Sequence, residues 1–346
     1  MKSAEIAKLA GVSRSTVSRV MNGYTNVPEE TFQKVMRVVQ EHNYAPNHFA
    51  RTLAGKPSAI VGMFFVDDSG QNENIIQSSP FYTEFLAHFT DKLASFGYVL
   101  LVSILRSEQG IEDLKSFFGQ KMISCGVFMG DIVADEVIAY LSENQHFSIL
   151  INQREDINFE HIMLLNTANY LGAYKAVECL IQNGHRKIAH IAGSSEKIST
   201  KRRQEGYRDC LEKYGIPYDE RLIVQAHIHR EETGYFATKE LITRLKDDLP
   251  TAIFAANDLM AIGALQALNE QNIAVPDDIS LIGYDNVSMS KYTTPTLATV
   301  STPLEKLAQH AAQTLANVLE GKPQTEPVFC LPDFDVIQRG SIKALS

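Results

Sequence analysis

Near the start of the chain, Ile6, Leu9 and Ala10 recur at helical spacing and predict a short helix over 4–10 with one apolar face. Gly11 suits a sharp turn after it, and Val12 offers a side chain to bury beneath that turn. Ser13 is a good N-cap for a second helix whose inward residues are Val17 and Val20. A third helix is expected over 28–42, with Pro28 in its first turn and Phe32, Val35, Met36 and Val39 on one stripe that can cap the first two. Beyond Pro46, residues 47–54 have room for about two more helical turns before Gly55 and Pro57 end them. So short a helix is unstable alone in water, which makes this stretch either a plain linker or an element that folds against a partner.

From residue 59 the pattern alternates. Apolar runs of strand length appear at 59–66, 98–103, 125–129, 147–151 and 162–165, separated by amphipathic helical stretches at 81–96, 111–118 and 135–143. The alternation resumes with helices at 170–182, 199–214, 232–245 and 259–270 and strands at 187–192, 222–225, 252–255 and 279–282. Two consecutive series of β-α units predict two doubly wound parallel-sheet α/β lobes behind a small all-α head. Ligands in such folds sit outside the carboxyl ends of the strands, here in the cleft between the lobes.

The outward face of the second helix carries Arg14, Ser15, Thr16, Ser18 and Arg19, all hydrogen-bond donors without a carboxylate among them. Two short helices joined by a tight turn fit a helix-turn-helix that enters the DNA major groove. They fit a solvated helical hairpin with incidental arginines equally well. Charge separates the two. Residues 1–57 hold eight Lys or Arg against four Glu, a net of +4, which leaves −13 for the rest of a chain whose total is −9. A basic head on an acidic body implies that the head alone meets phosphate.

The four cysteines, Cys125, Cys179, Cys210 and Cys330, show no metal-ligand pairing and read as buried small hydrophobes in a reducing compartment. There is no signal-peptide stretch, and the longest apolar run, 59–66, is too short for a bilayer, so a cytoplasmic protein is expected. The chain lacks a Gly-rich phosphate loop, a nucleophile elbow and His/Glu metal spacing, so no enzyme, metal or cofactor is expected. His185, after Gly184, reads as structural rather than catalytic.

Taken in order, several motifs resemble the lactose/galactose repressor family of bacterial transcription regulators over essentially the whole chain. The head matches at Ile6-Ala7, Ala10-Gly11-Val12-Ser13, Thr16-Val17-Ser18-Arg19-Val20 and Asn22, and the following stretch at Tyr44, Pro46-Asn47, Ala50-Arg51 and Leu53. The body matches at Gly184-His185-Arg186-Lys187-Ile188-Ala189, Pro250-Thr251-Ala252-Ile253, Asn257-Asp258-Leu259-Met260-Ala261, the run from Pro276 to Asn286, and Arg339-Gly340-Ser341. The resemblance implies a helix-turn-helix domain at 1–45, a hinge helix at 46–57 and a periplasmic-binding-protein-like sensor at 58–341. The near lobe would span about 58–163 and 303–326, and the far lobe about 164–302 and 327–341.

It also implies roles. Arg14, Ser15 and Arg19 would read base edges, while Ser13, Thr16, Ser18 and Asn22 would hold phosphates. Asn47 and Ala50 join the DNA contacts, and Leu53 would wedge into the minor groove once the hinge helix pairs with its twin. The partners are a near-palindromic operator and a second copy in a homodimer; with no heptads after Arg339, a tail-mediated tetramer is not expected. In the cleft, Arg203, Asn257, Asp285 and Ser199 from the far lobe would face Phe81, Tyr82, Asn152 and Arg154 from the near lobe. A guanidinium, an amide and a carboxylate together suit the vicinal hydroxyls of a sugar effector. Taken singly, Asp285 could be a turn residue, Asn257 a helix cap and Arg203 a solvated charge.

Departures from the family pattern fall on effector identity. The segment Ala226-His227-Ile228-His229 guarantees no stacking ring, the loop over 67–79 is long, and Asn152 and Asn166 stand where many relatives have Asp. The alternative effector is a purine or nucleoside, with which Asn286 is compatible, or a phosphoprotein corepressor. An exported sugar-binding protein would need a signal peptide and no basic head.

Overall fold

The computed structural model of the protein describes residues 3–21, 26–42, 58–67, 74–154, 156–226, 229–322, 324, 326–332 and 334–345. Asn22, Asn47, Ala50, Leu53 and the helix expected over 47–54 lie outside the described residues. The chain forms two units, 1–59 and 60–346.

In the first unit, helices α1 (Ser3–Ala10), α2 (Arg14–Met21) and α3 (Glu29–Glu41) enclose a core of Ile6, Ala7, Ala10, Val17, Val20, Val35 and Val39. Gly11 takes φ +65° at the turn, a conformation that would strain a side chain. The Val12 amide closes the turn on the Ala7 carbonyl at 3.0 Å. Ser13 caps α2, its Oγ accepting from the Thr16 amide at 3.1 Å. The expected face of α1 is rotated: Ala7 is buried, and Leu9 is left 52% exposed. A small alanine fits the close approach of α1 to its neighbours where a leucine would not.

The second unit opens with β1 (Ile60–Val66), α4 (Pro80–Ser95), β2 (Val99–Leu105), α5 (Ser107–Gly119), β3 (Gly126–Gly130), α6 (Asp135–Glu143), β4 (Ser148–Ile151) and β5 (Ile162–Thr167). It continues with α7 (Asn169–Gln182), β6 (Ile188–Ala192), α8 (Ile198–Lys213), β7 (Ile223–Gln225), α9 (Glu231–Leu245), β8 (Ala252–Ala255), α10 (Asp258–Glu270) and β9 (Ser280–Asp285). The last elements are β10 (Ala298–Ser301), α11 (Leu304–Leu319), β11 (Val328–Leu331) and β12 (Asp335–Ile337). One sheet has the order β11-β5-β4-β3-β1-β2 and is parallel throughout; the other runs β12-β10-β9-β8-β6-β7, parallel except where β12 meets β10. Strands β4, β5, β6 and β8 are buried along their whole length, as the unbroken apolar runs require of strands covered on both faces.

Membership of the sheets moves the expected lobe boundaries. β5 keeps the near lobe going to Thr167 rather than 163, and β11 returns to it over Val328–Leu331, a segment expected in the far lobe. α11 follows the near lobe, its Leu307, Ala311 and Leu315 packing with Phe85 and Phe89 of α4 in one core. The chain therefore passes between the lobes after β5, before α11 and after β11. Cys125, Cys179 and Cys210 are buried as expected, and burial pushes the Cys125 thiol up to about 12. Cys330 is exposed instead, because β11 is an edge strand. Among the described residues no helix is long and apolar enough to cross a membrane.

Candidate functional site

On the first unit, α2 presents Arg14, Ser15, Ser18 and Arg19 to solvent, with Thr16 half-buried at its base. The Ser13 hydroxyl also lies 2.7 Å from that of Ser15 and 2.9 Å from that of Thr16. The start of α2 thus gathers three hydroxyls and Arg14 in a first turn without an acid, and Arg19 follows in the last turn. That combination attracts phosphate and can donate to base edges.

In the second unit, the carboxyl ends of the strands enclose a cavity of about 140 Å³. Its wall includes all eight expected cleft residues: Phe81, Tyr82, Asn152, Arg154, Ser199, Arg203, Asn257 and Asp285. Each is placed by a strand end or a helix start. Phe81 and Tyr82 open α4, while Asn152 and Arg154 follow β4. Ser199 and Arg203 share the inward face of α8; Asn257 caps α10, and Asp285 ends β9 at φ +101°.

Arg203 is neither a solvated charge nor a bare ligand group. Its Nε donates to Asn169 Oδ1 at 2.9 Å, an Nη donates to the Ala256 carbonyl, and the other Nη lies 3.5 Å from Asp285 Oδ1. The guanidinium carbon sits 3.7 Å from the centre of the Tyr284 ring. Burial pushes the Asp285 carboxyl up to about 6, and the neighbouring Arg203 charge prevents a larger rise. Asn257 combines both readings: its Oδ1 caps the Met260 amide at 2.9 Å, and the same side chain walls the cavity.

Asn152, at φ +52°, turns its Oδ1 to the Thr167 amide at 2.9 Å and the Thr167 hydroxyl at 3.1 Å. Arg154 is held by Asp135 and, at 3.5 Å, by Asp156. The polar wall residues that sequence reasoning missed include Asp67, Asp131, Gln153, Lys197, His229 and Arg230. Asp67 binds Arg106 at 2.8 Å. Buried Gln153 braces the loop after β3, accepting from the Val133 amide at 2.9 Å and donating to the Asp131 carbonyl at 3.0 Å.

His229, on the segment that guaranteed no stacking ring, lines the cavity. It lies over Gly193, where a Cβ would come within 1.9 Å of its Nε2, and burial holds its pKa well below the usual value. The one legible signal was Gly193 itself, a glycine at a strand end that leaves room for a neighbour. Asn166 is in β5 beside Cys330, away from the cavity wall. Asn286 is also off the wall, accepting from Arg339 at 2.7 Å. His185 is structural as read, placed 3.1 Å from both the Thr251 hydroxyl and the Lys343 carbonyl.

Residues 4–47 match the bacterial regulatory proteins of the lacI family, and residues 177–342 match the periplasmic binding protein-like domain. The chain is 31% identical to the probable HTH-type transcriptional repressor ExuR of Bacillus subtilis (strain 168), over 99% of this chain and 98% of that one. It is 32% identical to the ribose operon repressor of Haemophilus influenzae, over 90% of each. Among solved structures it resembles a transcriptional regulator CelR–cellobiose complex, with TM-score 0.73, 27% identity and 99% of both chains covered. A capped two-helix head, a cavity at the carboxyl ends of two sheets and relatives that match from end to end agree on one conclusion: the chain belongs to the lacI family of bacterial regulatory proteins.

Proposed function

We propose that the protein is a homodimeric repressor that grips a near-palindromic operator with one head per half-site and changes that grip when a sugar or sugar derivative occupies the cleft. Arg14, Ser15 and Arg19 read base edges; Ser13, Thr16 and Ser18 hold phosphates. Residues 1–45 form the DNA-binding domain, 46–57 the hinge and 58–341 the sensor. The protein works in the cytoplasm, where the DNA is, and catalyses no reaction.

The observation that carries the effector class is the convergence of Asp285, Arg203 and Asn257 on one cavity opposite Tyr82, Asn152 and Arg154. Close-set donors and acceptors of this kind match vicinal hydroxyls. The cellobiose complex named for the similar CelR structure supports the same class. The purine alternative loses its motive, since Asn286 is turned to Arg339 and off the wall.

The test is a thermal-shift screen of sugars, sugar phosphates and purines, because a ligand raises stability by mass action. A sugar should raise the melting temperature of the native protein and alter its affinity for an inverted-repeat operator. Asp285→Asn should lose both effects. Stabilisation by a purine alone would replace the sugar reading.

A further inference from the structure

Lys197 and Asp131 come from opposite lobes. Lys197 precedes α8 in the far lobe and Asp131 follows β3 in the near lobe, yet Lys197 Nζ lies 3.0 Å from Asp131 Oδ1. Each side chain is about one-quarter exposed, at 26% and 23%. We propose that this bridge is a latch, built from the protein's own charges, that holds the two lobes in the closed arrangement whether or not an effector is bound.

Both ends are set for the task. On the near lobe, Gly130 takes φ +118° directly before Asp131, and a Cβ there would come within 2.3 Å of the Val66 carbonyl oxygen. The Asp131 amide donates to that oxygen at 2.9 Å, and Gln153 holds the Asp131 carbonyl from the other side. The carboxylate therefore projects from a fixed loop. On the far lobe, Lys197 occupies the N-cap of α8, where Ser, Thr, Asp and Asn are favoured and the helix dipole disfavours a cation. A carboxylate arriving from the opposite lobe removes that conflict. Burial works against the ammonium charge, but Tyr82 and Asp131 together hold the Lys197 pKa above its ordinary value.

A latch of this kind shifts the balance between open and closed lobes before any ligand arrives, so the effector has less of the change left to drive. It stands on the geometry of the lobes and not on the identity of the effector. A sugar screen that finds nothing leaves it untouched.

The test needs no effector. Spin labels at Glu136→Cys and Lys201→Cys, exposed positions near the starts of α6 and α8, report the distance between the lobes in a full-length Cys330→Ser background. Asp131→Asn and Lys197→Met should each move population to longer distances, changing the open-to-closed ratio about two- to tenfold. The exchange Asp131→Lys with Lys197→Asp should restore the short distance. Distances unchanged in both single variants would overturn the latch. So would lengthening that the charge exchange leaves unrepaired, since the pairing itself would then not be the cause.

Discussion

At the scale of single residues, Arg203 and Asp285 show how a binding group can be part of the fold. Arg203 answers a carboxylate, a carbonyl and an amide oxygen at once, so Arg203→Ala would leave Asp285 buried without its cationic partner. Breaking a buried pair from one side costs about 3–5 kcal/mol, and a thermal melt should show a loss of that order. The same burial makes the site sensitive to pH. The folded Asp285 pKa of about 6 lies above its ordinary value of 3.8. The folded chain therefore binds the extra proton more readily, and this group's contribution to stability falls as pH rises through that window. Effector binding runs the other way. The ionised carboxylate is a stronger acceptor for a sugar hydroxyl than the protonated acid, so affinity should weaken as pH drops below about 6, by at most about tenfold per unit. Titrating affinity against pH in the native protein should show that fall; an affinity that stays level from about pH 7 to about pH 5 would remove Asp285 as the acceptor. On α2, Arg14→Ala should cost about 1–3 kcal/mol of operator binding and relax specificity at one base pair. A uniform loss over every sequence, measured by competition binding, would make Arg14 a phosphate contact instead.

At the scale of elements, the strand and helix pattern was legible because burial on both faces writes unbroken apolar runs, as in β4 and β8. Elements whose meaning depends on a distant partner were not. β11 is a four-residue strand with an exposed, mixed pattern, and it becomes a strand by pairing with β5, more than 160 positions earlier. β10 has four residues and β12 three. The cleft residues with motif neighbours, Asn257 and Asp285, could be found from the sequence. Lys197 and Asp131 could not, because each is an ordinary surface residue until the lobes meet. Gly130 marks an element end where a positive φ and a close backbone approach coincide. Gly130→Ala would combine a positive φ with a Cβ 2.3 Å from the Val66 carbonyl oxygen. Backbone strain of this kind costs on the order of 1–3 kcal/mol, which denaturant unfolding should register as a lower midpoint.

At the scale of the whole molecule, a sensor has to connect its cavity to the place where its lobes pivot, and the residues just after β5 provide the connection. Asn169 is the first residue of α7, where the chain has just left the near lobe. Its Nδ2 donates to the Thr167 carbonyl at 3.2 Å and hydroxyl at 3.0 Å, and reaches Asn152 Oδ1 at 3.4 Å. Its Oδ1 accepts from Arg203 Nε at 2.9 Å. One buried amide thus joins a near-lobe wall residue, the crossing strand and the far-lobe guanidinium, so any shift of Arg203 is felt at the crossing. Asn169 is absent from the cavity wall, which lets binding and coupling be separated. Asn169→Ala should leave effector affinity within a few-fold and reduce the effector's influence on operator affinity by about 0.5–2 kcal/mol. The measurement is operator affinity with and without saturating effector, in the native and variant proteins. If the two proteins respond alike, the crossing amide carries no coupling.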